Sequence, residues 1–406
     1  MLCALTLAAC AHVSVTPEPA SELVLHVGKI LTVDAENRVV NRGYLHVRDG
    51  KIVAIATTDA GFDVGPGAER IERPDLWAFP GMVDLHCHIS TNGFSADLND
   101  MNFPLNPDLR SQPGIRVGHA AMRRACASGV TTAFVIPGSG TSISGFGTVL
   151  KFKTDPEGRY ADTVVRDPGG VKVAQNFNPE RRAGDLGLTQ AGLAWNLESL
   201  NDRVARQVAS GSGTGDPLLA NLEAVHRGEL PVLIHCASAE GVANTVRMWK
   251  LRYGTQCVIS HGSWDGHYAA AFAAEHGVPV NHGPRVINHT SMRREGKIQG
   301  GAAAYVAAGV PLFSLNTDSP IVPQEELFVQ GTVSARYGAD AETMLRALTT
   351  HPAQSFQLGD RVGSLAVGLD ADIVLFTGDP LDPRSAVELV LIDGEVQYDR
   401  SQGQWF

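Results

Sequence analysis

Two periods of hydrophobicity divide the chain. From Glu22 to about Ile71, apolar and polar residues alternate in LVLHVGKILTV, GYLHVRDG and KIVAIA, with Asp49-Gly50 as a hairpin turn. The end of the chain returns to this pattern: ADIVLF and AVELVLIDGEVQY read as short strands, with a turn at Asp393-Gly394. Between the two ends, apolar runs alternate with helical stretches, the signature of βαβ units. Eight runs read as strands: MVDLHCH, TTAFVIP, TVLKF, VKVAQNF, PVLIHC, QCVISH, VPVNHG and PLFSLNTD. Helices are predicted from Gln112 to Ser128, with Pro113 near the start and Gly129 as the stop, and from Asp265 to His276, stopped by Gly277. A short alanine-rich helix is predicted from Gly301 to Ala308. One connection breaks the rhythm: too few residues separate TTAFVIP from TVLKF for a helix.

This pattern predicts an α/β protein, a (β/α)8 barrel of the TIM type with a small β-sandwich assembled from both chain ends. A barrel takes ~250 residues, and the 406 residues present leave room for the second unit. The expected division is 1–21 as a lipoprotein-type signal and tether, 22–78 with 360–406 as the composite β domain, and 79–359 as the barrel. A net charge of −10 supplies no basic face, which argues against a nucleic-acid partner. The opening MLCALTLAAC resembles a bacterial lipoprotein signal, although no basic residues precede its short apolar stretch. Cys10 would become the lipidated residue, and AHVSVTPEPAS would follow it as a tether. The expectation is a periplasmic domain touching the membrane only through that anchor. No later apolar run reaches the ~20 residues needed to span a bilayer. Cys87, Cys126, Cys236 and Cys257 have neither a disulfide framework's pattern nor a CxxC spacing, and read as core residues.

Barrels of this kind carry their functional side chains at the C-terminal ends of the strands, and the polar residues here cluster there. Strand one ends in His86-Cys87-His88; alternate residues of a strand share a face, so the two imidazoles point one way and Cys87 the other. His235 ends strand five, His261 strand six and Asp318 strand eight, while Lys151 lies in strand three. Four imidazoles and a carboxylate suit zinc, and strand-terminal ligands on four strands point jointly to a metal centre. His282, at the end of strand seven, is a candidate to contact a substrate carbonyl. Arg181 and Arg285 could hold an acidic group of the substrate by paired hydrogen bonds. Asn178, beside Arg181, and the glycine-rich loop from Gly138 are further candidates for binding. His267, His276 and His351 fall on or beside helices and read as structural. The polar loop from Ser90 to Ser111 could cover the site.

PGMVDLHCH, followed in order by His235, His261 and Asp318, resembles the amidohydrolase superfamily, most closely its imidazolonepropionase-related and prolidase-like branches. GVTTAFVIPGSG, RYGADAETMLRALTTHPAQSF and DRVGSLAVGLDADIVLF carry the same likeness, which covers about residues 22 to 400. The resemblance implies two divalent metal ions, with zinc the expected metal. His86 and His88 would hold the first and His235 and His261 the second, with Asp318 as both ligand and proton carrier. It also implies a carboxylated lysine bridging the metals, assigned to Lys151, with Lys153 two residues on along the same face. The activity implied is hydrolysis of an amide-like C–N bond in a dipeptide, N-acyl amino acid or cyclic amide. Two alternatives stand beside it. A mononuclear deaminase of the superfamily would carry Glu three residues after the strand-five histidine, where Ser238 stands, with Glu240 further on. A lipid-anchored binding protein would keep the barrel without turnover.

Overall fold

The computed structural model describes residues 21–403 apart from 91–97, 99, 101, 155–158, 181–188, 285, 289–295 and 297–298. Cys10 and the segment around it lie outside the described residues, as do Arg181, Arg285 and part of the loop from Ser90 to Ser111. Among the described residues no helix is long and apolar enough to cross a membrane.

The alternating segments at the two ends meet in one seven-stranded sheet. The N-terminal part supplies β1 (Glu22–Leu31), β2 (Val39–Arg48), β3 (Lys51–Ala56) and β4 (Glu69–Pro80). After the barrel strands, numbered β5 to β14 below, the C-terminal part adds β15 (Ile373–Phe376), β16 (Val387–Ile392) and β17 (Glu395–Asp399). The halves join where β15 pairs antiparallel with β4, Ile373 opposite Pro80 and Phe376 opposite Trp77. Leu25, Val27, Ile30, Leu45, Ile373 and Leu391 share one buried cluster, the inward half of the two-residue period. The two DG turns hold as drawn: Asp49 and Asp393 have φ of 50° and 52°, each followed by a glycine at positive φ.

Glu22, at the start of β1, fastens a corner of this sheet. Its carboxylate accepts from Arg48, lies 2.6 Å from His46 Nε2 and accepts the Gly65 N–H at 2.7 Å. The Arg48 hydrogen bond, followed by those of His46 and Gly65, holds its pKa down to about 2. A carboxyl depressed on folding stabilises the fold above its unfolded pKa of about 4.3 and loses that contribution as pH falls towards 2. Glu22→Gln is therefore expected to flatten the fall in thermal midpoint between about pH 4 and pH 2. Melting curves stepped through that range check it.

The middle of the chain forms an eight-stranded sheet of β5 (Met82–Cys87), β6 (Val130–Val135), β7 (Ile143–Lys151), β8 (Val164–Ala174), β9 (Val232–Ala237), β10 (Cys257–Ser263), β11 (Val280–His282) and β14 (Ser314–Leu315). A two-stranded ribbon of β12 (Ile287–Asn288) and β13 (Gln299–Gly300) stands apart. All eight strands predicted from the sequence are present. The sheet curls into a barrel: a bridge joins Cys87 of β5 to Ser319 just past β14, and the His88 N–H donates to Ser319 O at 2.8 Å. Inside, Val83, Leu85, Phe134, Val149, Leu233 and Val258 pack on Phe356 and Val362, so the lower barrel is a filled core with its polar ends above.

One strand departs from the expected pattern. β7 runs antiparallel to both β6 and β8. The short connection after TTAFVIP is therefore a β-hairpin link, since a parallel crossover needs a dozen or more residues. The predicted helix from Gln112 to Ser128 resolves into a single turn at Gln112–Gly114 and a helix at Ala120–Ala127.

Candidate metal centre

The strand reversal decides which lysine reaches the mouth. In β7 the last residue lies at the N-terminal end of its neighbours: Lys151 pairs with Thr132 near the start of β6, while Thr148 pairs with Val135 at its end. Lys151 is consequently at the bottom of the barrel. Its Nζ contacts Asp370 at 2.7 Å, Asp372 at 2.9 Å and also Asp393, all on the composite-sheet side. Lys153 reaches Asp393 as well, at 3.0 Å. The assignment of Lys151 to the metals is corrected: an antiparallel strand points its C-terminal end away from the site.

At the other end the predicted groups converge. His86 Nε2 and His88 Nε2 are 3.2 Å apart, and Asp318 Oδ1 lies 3.2 Å from the first and 3.1 Å from the second. His261 Nε2 stands 4.0 Å from Asp318 Oδ2. The ligand atoms of His86, His261 and Asp318 all fall within 4.8 Å of one another. His235 is buried with its ring 4.6 Å from that of His261, and neither of its nitrogens has a partner among the described residues. Cys87 points the other way, its thiol donating to Gln324 Oε1.

The hydrogen bonds behind these rings fix which nitrogen faces inward. His88 Nδ1 donates to Ile136 O and His261 Nδ1 to Gly283 O, both at 2.9 Å, while His86 Nδ1 is 2.6 Å from Ser260 Oγ. A proton held at Nδ1 leaves the Nε2 lone pair directed at the centre. Burial keeps His86, His235 and His261 below their ordinary pKa, so the rings are neutral at pH 7. Burial works against ionising Asp318, but His86, His88 and His261 outweigh it and hold the carboxyl far below the carboxylate range. Neutral imidazoles and an ionised carboxylate are the protonation states a divalent cation requires. The three ligand atoms stand 3.1–3.2 Å apart, close enough for one cation to be held among them. His261 and Asp318 hold this geometry at positive φ, 72° and 51°, conformations that cost about 1–3 kcal/mol each.

Two partners were not singled out from the sequence. Lys172, in the VKVAQNF strand, is fully buried. It stands two residues before Ala174, which pairs with His235. Its Nζ donates to Ser139 Oγ at 2.5 Å, within electrostatic range of His86, His235, His261 and Asp318. Burial pushes its pKa down to about 7, with Asp318 pulling the other way. A lone lysine within an apolar strand was the available signal. Ser139, next to Gly138 in the glycine-rich loop, is thereby tied to Lys172. Asp84 binds the two sides of the site together: Oδ1 accepts the His86 N–H at 3.0 Å, and Oδ2 accepts from Thr317 Oγ1 at 2.6 Å and Gln324 Nε2 at 3.1 Å.

His282 is buried between Tyr305 and Phe313, and its Nδ1 donates to His261 O at 2.7 Å. A Cβ at Gly301 would stand 2.3 Å from its Nε2, so that nitrogen faces the Gly301 backbone. Asn178 is half-buried just beyond β8, its N–H on Asn176 O. His351, expected to be structural, donates from Nδ1 to Phe313 O.

The sequence model of the amidohydrolase family matches residues 214–405. Among solved structures, an amidohydrolase from Thermotoga maritima MSB8 superposes with a TM-score of 0.82 at 29% identity, covering 93% of this chain and all of that one. The family model and this structure both place the chain's likeness with the amidohydrolases. The chain is also 24% identical to the imidazolonepropionase of Stenotrophomonas maltophilia over 86% of its own length and 89% of the relative's. Against the amidohydrolase tasK of Hapsidospora irregularis it is 24% identical over 368 residues, and it spans only 36% of that longer protein.

Proposed function

We propose that this protein hydrolyses an amide-like C–N bond in a small molecule, with two divalent ions held by His86, His88, His235, His261, Asp318 and Lys172. The observation that carries this reading is the convergence of His86 Nε2, His88 Nε2 and Asp318 Oδ1 at 3.1–3.2 Å. The unpartnered nitrogens of His235 offer a second set of donors beside it. Lys172 would take the role expected of Lys151: its buried amine, on adding carbon dioxide and losing a proton, would give a carbamate able to serve as a metal ligand. Bound there, the ions would acidify a water and polarise a carbonyl. Asp318 takes the proton of the attacking water and delivers it to the departing nitrogen, as base and then acid. Zinc suits the donor set best. The imidazolonepropionase relative favours a cyclic amide within the class, beside dipeptides and N-acyl amino acids.

Elemental analysis of purified protein tests the reading. Two equivalents of metal per chain are expected, whereas the mononuclear deaminase alternative requires one. Lys172→Ala is expected to lose at least one equivalent and to slow turnover on a panel of dipeptides, N-acyl amino acids and cyclic amides by about 100-fold or more. Two equivalents retained in Lys172→Ala would remove the lysine from the centre. No turnover by metal-replete protein anywhere on the panel would favour a binding protein.

A further inference from the structure

The rim of the barrel mouth carries two aromatic rings that the metal chemistry does not use. Phe177 follows β8, five residues after Lys172. Trp264 follows β10, three residues after His261. Their rings meet edge to face, 73° between planes. Phe177 remains 45% and Trp264 40% exposed.

Both residues also sit in the left-handed region, Phe177 at φ 74° and Trp264 at φ 61°. A bulky side chain there is an outlier, and its persistence at a functional mouth is evidence of use. Each is pinned by its surroundings. The Phe177 N–H donates to Glu180 Oε1 at 2.8 Å, and the preceding Asn176 is tied by its side-chain amide to Ala237 N and O, two residues past His235. On the other side, the Asp265 carboxylate accepts the Ala239 N–H at 3.3 Å, and Tyr305 donates to Gly262 O at 2.7 Å. Glycine would meet the backbone demand without strain, so the rings are present for what they contact. Both spring from strand ends that hold the centre, which puts them within about 10 to 17 Å of it along extended chain, the span of a small amide substrate.

We propose that Phe177 and Trp264 form the apolar subsite of this protein, taking an aromatic or large aliphatic side chain next to the scissile amide. The substrate class is thereby narrowed to amides that carry such a group. This rests on the proposed hydrolytic function for its meaning, and its test is a binding measurement that needs no turnover.

Calorimetric titration of metal-replete protein with N-acetylphenylalanine and N-acetylglycine is the experiment. The phenylalanine ligand is expected to bind about tenfold to a hundredfold more tightly, the range for burying one large apolar side chain. Phe177→Gly and Trp264→Gly are each expected to shrink that ratio to a few-fold, with metal content kept and the melting temperature equal or higher because strain is relieved. Should either glycine variant fail to fold, Phe177→Asn and Trp264→Asn replace them, since asparagine tolerates this backbone region. Equal affinities in the unmodified protein, absence of binding by both ligands, or a preference that survives both substitutions would each overturn the subsite. A preference found in protein that turns over no amide would uphold the subsite and count against the hydrolytic reading alone.

Discussion

Asp318→Asn is expected to keep its metal and lose turnover by about 1,000-fold or more. In the proposed centre the four imidazoles would remain to hold the ions and an asparagine oxygen would take the place of Oδ1, so binding would survive in weakened form. The proposed proton carrier would be gone. In the intact protein Oδ1 lies 3.1–3.2 Å from two imidazole nitrogens, and Asp84, Thr317 and Gln324 fix the strand end behind it. A positioned acid–base group contributes about 100- to 10,000-fold, and one group serving both halves of the reaction belongs in the upper part of that range. Metal analysis beside steady-state rates on the best substrate of the panel separates the outcomes. Full activity in the variant would place the proton transfer elsewhere; loss of metal together with activity would make Asp318 chiefly a ligand.

Lys151→Met should do the opposite: leave the metal content untouched and destabilise the protein by about 3 kcal/mol or more. Lys151 is almost fully buried among Asp370, Asp372 and Asp393, of which the first two are nearly inaccessible. Burial disfavours its charge, but the three carboxylates outweigh it and raise its pKa. Removing one partner of a buried ion pair costs about 3–5 kcal/mol, because the charge left behind is uncompensated. Lys51 and Arg361 also reach Asp370, which places the expectation at the low end. Urea denaturation of the two proteins measures it. The contrast with Lys172→Ala is diagnostic, since only the lysine at the mouth is expected to take metal with it.

That strand shows where sequence reading succeeded and where it failed. The eight apolar runs were all legible, because burial on both faces writes itself as continuous hydrophobicity. The histidines and Asp318 were legible because seven strands are parallel and their C-terminal ends share one mouth. Direction was not legible in TVLKF itself. Alternation and apolarity are the same read forwards or backwards, and a single lysine at a strand end carries no sign of which end it is. The information lay in the connection, too short for a crossover. Lys172 was hidden for a related reason: it sits two residues below the level of His235, inside the apolar run, where a strand-end rule does not look. Asp84 was missed similarly, since its three hydrogen bonds come from partners more than two hundred residues away as well as from His86. The composite β unit was legible as two matching ends, and its joining at β4 and β15 is a tertiary fact.

The pairing of Pro80 with Ile373 has a consequence for biosynthesis. Strands β1 to β4 leave the ribosome well before β15, so the edge of β4 that receives β15 waits while the whole barrel between them is made. During that interval the edge is an open template for pairing with another nascent copy. Translation that stops short of Ile373 yields a chain whose opening segment has no closing partner, and such truncated products should be recovered as aggregates or proteolysed fragments.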